Sequence, residues 1–417
     1  MPEQDFYRSH LENDVMTWWL ANGPDTVYDG VRTCFANSGD TLVSTDKYTW
    51  SQGRWVWLTS RLSRAARHGL LGMDPDVLLR HAASTAEFIA AHALLANGTT
   101  AYVMAAAGAV KPYGADGDPH ASVFADLFAA LGFAALHGEL TVTGATQDRP
   151  WGQLAEQLLV SAWNRVCAGT AKNEPYPVDP RFRCFAEPML VMHVGAELYA
   201  ATGSGKAAEI AAAAAADARS ALFVAGTDVH DMASQHADMD DTLLARHRTP
   251  GHLLEFLWFL QHAATAVPGV AKVADPAWMV GAALGALDLG WDTAEGGLLR
   301  YADREGGAPR GRLLDDRYES LVTRTWDTKL WWPHAEALYA AALLAKLHGS
   351  ADLAAWRDQI HEYTFATFPE GPGREWTQIR ARDGRPFDEV VALPVKDPFH
   401  IARALLLLVE LRAETEN

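Results

Sequence analysis

Cysteine is scarce in this chain, with three residues in 417, Cys34, Cys167 and Cys184. None has C-x-x-C spacing, so neither a disulfide framework nor a thiolate zinc or redox site is expected, and the thiols read as reduced in a cytoplasmic protein. Positive charge is also in short supply. Lys and Arg number 35 against 52 Asp and Glu, for a formal net charge of -17, and the basic residues form no stripe able to neutralise phosphates. Nucleic acid and anionic membrane are therefore excluded as expected partners. Long apolar runs are missing from this reading too. The longest weakly apolar stretch, 210–216, is mostly alanine between Glu209 and Asp217, so no membrane span is expected. The opening MPEQDFYRSHLENDV has neither a basic n-region nor an apolar h-region, and export is not expected. There is no Pro/Gly/Ser linker or compositional break, so one domain over 1–417 is the expectation.

What the sequence has in abundance is helical periodicity. Apolar stripes at a period of 3.6 recur at 5–20, 50–69, 76–95, 119–137, 151–169, 186–202, 206–223, 250–266, 277–290, 331–347, 351–365 and 398–413. Strand signals are few and short: AYVMAAAG at 101–108, GGLLRYAD at 296–303, and EWTQIRARDGRPF, where Asp383-Gly384 suits a tight turn. About a dozen helices with short connections either stack as an open solenoid or close into a ring. Polar and aromatic residues gathered at helix starts favour the ring, because closure brings those starts to one mouth.

Two of these starts share an unusual frame. TPGHLLEF begins at Thr249 and DPFHIARA at Asp397. With Thr249 and Asp397 as N-caps, Pro250 and Pro398 occupy N1, where a missing N–H is harmless, and His252 and His400 occupy N3. The positive end of the helix dipole disfavours imidazolium there, so two neutral histidines are expected. Glu255 and Phe259 follow His252 on the same helix face, and the carboxylate could orient the ring or hold a hydroxyl. Taken singly, each histidine is as well explained by backbone hydrogen bonding near a cap.

KYTWSQGRWVW (47–57), TPGHLLEFLWFL (249–260), KLWWPHAEAL (329–338) and DPFHIARAL (397–405) together resemble the N-acylglucosamine 2-epimerase family, in order and spacing, across about residues 15 to 412. The resemblance implies an all-α (α/α)6 barrel of six inner and six outer helices, with a few short β-hairpins at the mouth. It implies His252 and His400 as the catalytic bases, Arg54 of QGR as the essential arginine, and Glu255 as the accompanying glutamate. The implied reaction inverts C2 of an open-chain aldose, N-acylated or free, through an enediol or enediolate. No cofactor or metal is required for that chemistry. A nucleotide activator, known in some relatives, is carried only as a possibility of the resemblance, a small-molecule sugar as the partner, and a homodimer as the assembly.

Further residues inside the motifs are candidates for substrate contact: Tyr48, Trp50, Trp331, Trp332, His334, Glu336 and Arg403. His193 is a weaker candidate, since some relatives acting on unmodified sugars carry an extra pocket histidine on the corresponding helix; Asp126 and Phe124 are weaker still. Phe256, bulkier than the residue usual there, would narrow the pocket if it faces inward, and Ala402 replaces a usual proline. The cluster His230, Asp231, His236, Asp238, Asp240 and Asp241 fits no ligand spacing and reads as a solvated acidic loop. TGSGKA at 202–207 lacks the first glycine and the Ser/Thr of a phosphate loop. Three alternatives stand beside the epimerase: an aldose–ketose isomerase on the same scaffold, a glycoside hydrolase using a carboxylate pair such as Glu255 and Glu336, and a noncatalytic binding protein.

Overall fold

The computed structural model describes residues 4–114, 116–388 and 394–416. Each apolar stripe is a helix. We number the twelve as follows. α1 covers residues 4–22, with a π-helical stretch at His10–Met16. α2 is Thr49–Arg67, α3 Pro75–His92, α4 Val123–Thr143, α5 Trp151–Cys167 and α6 Ala186–Thr202. α7 is Gly205–Ala218, α8 Pro250–Ala266, α9 Pro276–Gly290, α10 Trp331–His348, α11 Ala351–Thr367 and α12 Phe399–Glu416. Local chemistry sets several boundaries. Asp74, Ser204, Asp275 and Ser350 accept backbone N–H bonds at the starts of α3, α7, α9 and α11. Left-handed Gly144, Gly203 and Gly349 end α4, α6 and α10.

The even-numbered helices form a closed inner ring in the order α2, α4, α6, α8, α10, α12, and α12 returns to α2. The odd-numbered helices lie outside, each against an inner neighbour. The result is the expected (α/α)6 barrel. An inner helix is covered on both sides, which turns its apolar stripe into a continuous run; residues 335–342 of α10 are all buried. α4 carries this furthest. It is long and apolar enough to cross a membrane by length and composition, and 89% of its most apolar stretch is buried inside the barrel. The stretch at 210–216 is thus not the chain's most apolar segment.

Close helix contact depends on glycine at one crossing. A Cβ on Gly53 of α2 would lie 2.2 Å from the Phe128 carbonyl oxygen of α4. Gly53→Ala is therefore expected to destabilise the fold by about 1–3 kcal/mol or more through overpacking. Gly205→Ala, at a helix start with nothing within 4 Å, should be neutral or slightly stabilising. Urea unfolding midpoints of the two variants check this contrast.

Five two-stranded antiparallel ladders complete the described structure. Four begin with a strand directly before an inner helix: Lys47–Tyr48 before α2, Arg183–Cys184 before α6, His247–Arg248 before α8 and Lys329–Leu330 before α10. Their partners are Val103–Met104, Met232–Ala233, Ala302–Asp303 and Ile379–Arg380. The three expected strand regions thus appear as these short ladders, which fix the N-terminal ends of the inner helices around one mouth. The expected turn forms at Gly384, with φ of 83°. Short helices at Leu243–Arg246, Pro268–Ala271 and Arg317–Thr325 were not anticipated, although Asp316 and Glu319 form a capping box before the last.

Candidate active site

A cleft enters the barrel at this mouth, with about 1270 Å³ of empty space when its open end is included. His252 and His400 both line it, as do Arg54, Glu255, Trp50, Trp331 and Trp332. Phe124 is in the wall as well. The two imidazole rings lie 5.1 and 5.7 Å from the ring of Trp332, so they cannot be farther apart than the sum of those distances.

Each ring is held from behind by a carboxylate. His252 Nδ1 is 2.8 Å from Asp231 Oδ1, and the other oxygen of Asp231 accepts the backbone N–H of Thr249. His400 Nδ1 is 2.7 Å from Glu336 Oε1. Arg403 Nη2 is also 3.3 Å from that nitrogen, but only an Nδ1–H donating to Glu336 makes the short contact attractive. Both rings therefore have Nε2 available to the cleft, and no described residue bonds to either ring there. This carboxylate–imidazole pairing fixes tautomer and orientation in the manner a proton-transfer histidine needs.

The helix-start frame is only half realised as drawn from sequence. Asp397 does cap α12, accepting the Phe399 N–H at 2.7 Å. Thr249 occupies the N-cap position of α8, but its hydroxyl is buried without a partner among the described residues. Asp231 from the preceding loop accepts the N–H of Thr249 itself and so anchors the entry to α8 without capping its first turn. The electrostatics differ accordingly. Burial drives His400 well below the ordinary imidazole range, reinforced by Arg54 and Arg403. Burial also opposes the charged form of His252, yet the hydrogen bond and charge of Asp231 outweigh it and leave its pKa raised. The expectation of two equally neutral histidines is corrected to an unequal pair: both rings contact a carboxylate, but at His400 burial prevails with Arg54 and Arg403 beside it, whereas at His252 Asp231 prevails.

Behind His400 lies a buried ionic cluster. Arg403 Nη2 bonds to Glu255 Oε1 and, at 2.7 Å, to Glu336 Oε1, while its guanidinium packs over Phe399 and Trp258. Trp258 Nε1 donates to the second Glu336 oxygen at 2.7 Å. Ligand atoms of Glu255, Glu336 and His400 lie within 4.8 Å of one another, as in a cation site, and the Arg403 guanidinium is the cation they share. Arg54 bonds to Asp397 at 3.1 Å and lies 4.2 Å from the ring centre of Phe128. Its Nε is buried without a partner among the described residues.

Five sequence candidates stand outside the cleft wall. Tyr48 packs edge-on against Tyr102. His193 stacks on Phe259 at 3.8 Å between ring centres, and burial lowers its pKa to about 3. His334 donates to the Leu330 carbonyl and accepts the Leu298 N–H, so both ring nitrogens serve the backbone. Glu336 and Arg403 act on His400 and Glu255 and are not in the wall. Phe256 is fully buried against Phe185 and does not narrow the pocket. Asp126 binds Thr100, His120 and Arg165. Glu255 lines the cleft but is not what orients His252.

Sequence reasoning missed Asp231, which it placed in a solvated loop, and Arg300 and Tyr176, which also line the cleft. All three lie outside helices, where periodicity carries no signal. Asp231 is 9% exposed, whereas its neighbours Asp240 and Asp241 do pair at the surface with Arg304 and Arg246. The glycine-rich TGSGKA is the turn into α7, with Ser204 as its cap.

The model of the N-acylglucosamine 2-epimerase (GlcNAc 2-epimerase) family matches residues 30–404. The chain is 27% identical over 409 residues to N-acylglucosamine 2-epimerase of Bos taurus, covering 95% of this chain and 88% of that protein. Among solved structures it is similar to a sugar epimerase from a ruminal bacterium, with a TM-score of 0.75 at 16% identity and 98% coverage of both chains. It is similar also to a D-mannose isomerase, with a TM-score of 0.70 at 14% identity and the same coverage.

Proposed function

The chain belongs to the N-acylglucosamine 2-epimerase family, and from that membership we propose that it inverts C2 of an open-chain aldose by proton transfer between His252 and His400. One observation carries the mechanism: two imidazoles, each with Nδ1 on a carboxylate and each within 6 Å of the Trp332 ring, line one cleft with Nε2 left to it. With the sugar ring open, C1 is an aldehyde and the C2 proton is acidic. One histidine removes it, leaving an enediolate, and the other returns a proton to the opposite face. Arg54, held by Asp397 at the start of the His400 helix, donates to O1 or O2 as charge develops there, a contribution of about 3–4 kcal/mol for one well-aimed donor. Trp332 packs near both bases, and Trp50 and Trp331 wall the cleft.

The unequal histidines define the working protonation state. The form with His400 neutral and His252 charged carries one proton across the pair. The reverse reaction needs that same single proton on the other ring, so both directions share one pH window. Its acid limb belongs to the lowered His400 and its alkaline limb to the raised His252. Asp231→Asn removes the charge that raises His252, so the alkaline limb is expected to move to lower pH. The rate at the optimum should fall within the roughly 10²–10⁴-fold that an acid/base group supplies. A kcat/KM profile of that variant against the parent checks the sign.

An isomerase on this scaffold would protonate the same enediolate at C1. Incubation with N-acetylmannosamine and with mannose in D2O, followed by NMR, tests the reading: an aldose epimer deuterated at C2 is expected, and a ketose would replace epimerisation by isomerisation. We propose a homodimeric assembly from the family alone, to be read by light scattering on a sizing column.

A further inference from the structure

Carboxylates hold two of the buried arginines at this mouth. Arg246 makes two bonds to Asp303 at 2.8 and 3.0 Å, and Arg248 makes two to Asp228 at 2.7 Å. Such bonds fix a guanidinium, but they occupy its N–H groups and offset its charge. Arg54 is held differently. Its side chain is 11% exposed, and its one bond among the described residues runs from Nη1 to Asp397 Oδ2 at 3.1 Å, with Nε buried and unpaired. Burial opposes its charge and Asp397 offsets only part of that, so its pKa lies below the ordinary arginine value.

Aromatic rings supply the rest of its support. The guanidinium carbon of Arg54 lies 4.2 Å from the ring centre of Phe128, 4.9 Å from that of Phe399 and 5.0 Å from that of Trp50. The rings brace one another, with 5.0 Å between the centres of Trp50 and Phe128 and 5.9 Å between those of Phe128 and Phe399. They come from three inner helices: Trp50 from α2, one turn before Arg54, Phe128 from α4 and Phe399 from α12. Gly53 lets α4 close on α2 at the Phe128 carbonyl, one residue from Arg54. An aromatic ring attracts a guanidinium through its quadrupole and offers no carboxylate lone pair, so the cation is fixed with most of its donors unspent.

We propose that Phe128 and Phe399 are positioning residues for the proton transfer: with Trp50 they box the Arg54 guanidinium, so that its unspent N–H groups are aimed at the oxygen on which charge develops. This rests on the sugar 2-epimerase reading. A donor already fixed needs no reorganisation when that charge appears, which is where a preorganised site gains over water. The two rings share this role and differ in their other contacts. Phe128 lines the cleft and makes no ring contact with Arg403 among the described residues, whereas Phe399 packs on Arg403 at 4.3 Å and does not line the cleft. A defect common to both therefore points to Arg54 rather than to substrate contact or to Arg403.

The test compares Phe128→Leu and Phe399→Leu with the parent in epimerisation of N-acetylmannosamine, each alone and combined with Arg54→Ala. Alone, each should lower kcat roughly 10- to 100-fold with KM nearly unchanged, a part of what one aimed donor supplies. Once Arg54 is alanine, each should cost less than about threefold more, because both act through the same group. Losses that multiply in that background, or variants that change KM alone, would overturn the proposal. Should Phe399→Leu not fold, the cycle of Phe128→Leu with Arg54→Ala still decides. The box itself is read without turnover, by NMR of protein labelled with 15N-arginine. The Arg54 Nε–H signal, assigned by its loss in Arg54→Ala, should be displaced by ring currents in the parent and return toward the ordinary arginine position in both variants. If that holds while the parent makes no epimer, the reaction reading falls and the box stands. A signal that neither variant moves removes the box, whatever the parent turns over.

Discussion

His400→Ala is expected to lose epimerisation by about 10⁴-fold, at the upper end of what one acid/base group supplies, while remaining folded. The ring is almost wholly buried, with one nitrogen on Glu336 and the other free to the cleft. Its removal leaves Arg403 still bonded to Glu255 and Glu336, so no buried charge loses its partner. The more discriminating result is isotopic. With one base gone, the other can still take the C2 proton from the epimer that presents it and give one back to the same face. In D2O, His400→Ala should therefore exchange the C2 hydrogen of one epimer only, without inversion, and His252→Ala should exchange that of the other. NMR of both epimers with both variants checks this. Exchange of the same epimer by both variants, or near-normal inversion by either, would remove the two-base assignment.

The fold was legible because inner and outer helices obey the same 3.6 period, and a cap such as Asp397 is a local event. Ring closure needed one more inference, that helix starts converge, and the strands before α2, α6, α8 and α10 show how the convergence is built. The site was legible only where residues lie in helix-start motifs. His252, His400, Arg54 and Glu255 were named together and lie on one cleft. What failed was direction. From α10, Trp332 faces the cleft while His334 and Glu336 turn into the core, and a motif read as a string does not separate these faces. Asp231 failed for the opposite reason. Its acidic neighbours made it resemble a surface residue, and only the fold brings it under His252. Charge in a loop says nothing of burial until the loop's packing is known.

The buried cluster behind His400 yields the second large effect. Arg403→Leu should destabilise the protein by about 3–5 kcal/mol, because Glu255 and Glu336 would share a low-dielectric space without the cation between them. Two carboxylates so placed cannot both stay ionised, and one is expected to take up a proton. Activity should fall with stability, yet a separate readout isolates the electrostatic part. Arg403 helps to hold the His400 pKa down, so its loss should raise that pKa and move the acid limb of kcat/KM to higher pH. Arg403→Lys keeps the charge but loses the guanidinium plane that packs over Phe399 and Trp258, and should leave the acid limb near its parent position while still lowering stability. Chemical denaturation together with the pH profile of the two variants checks the prediction. If Leu and Lys shift the acid limb equally, packing rather than charge is what Arg403 contributes to His400.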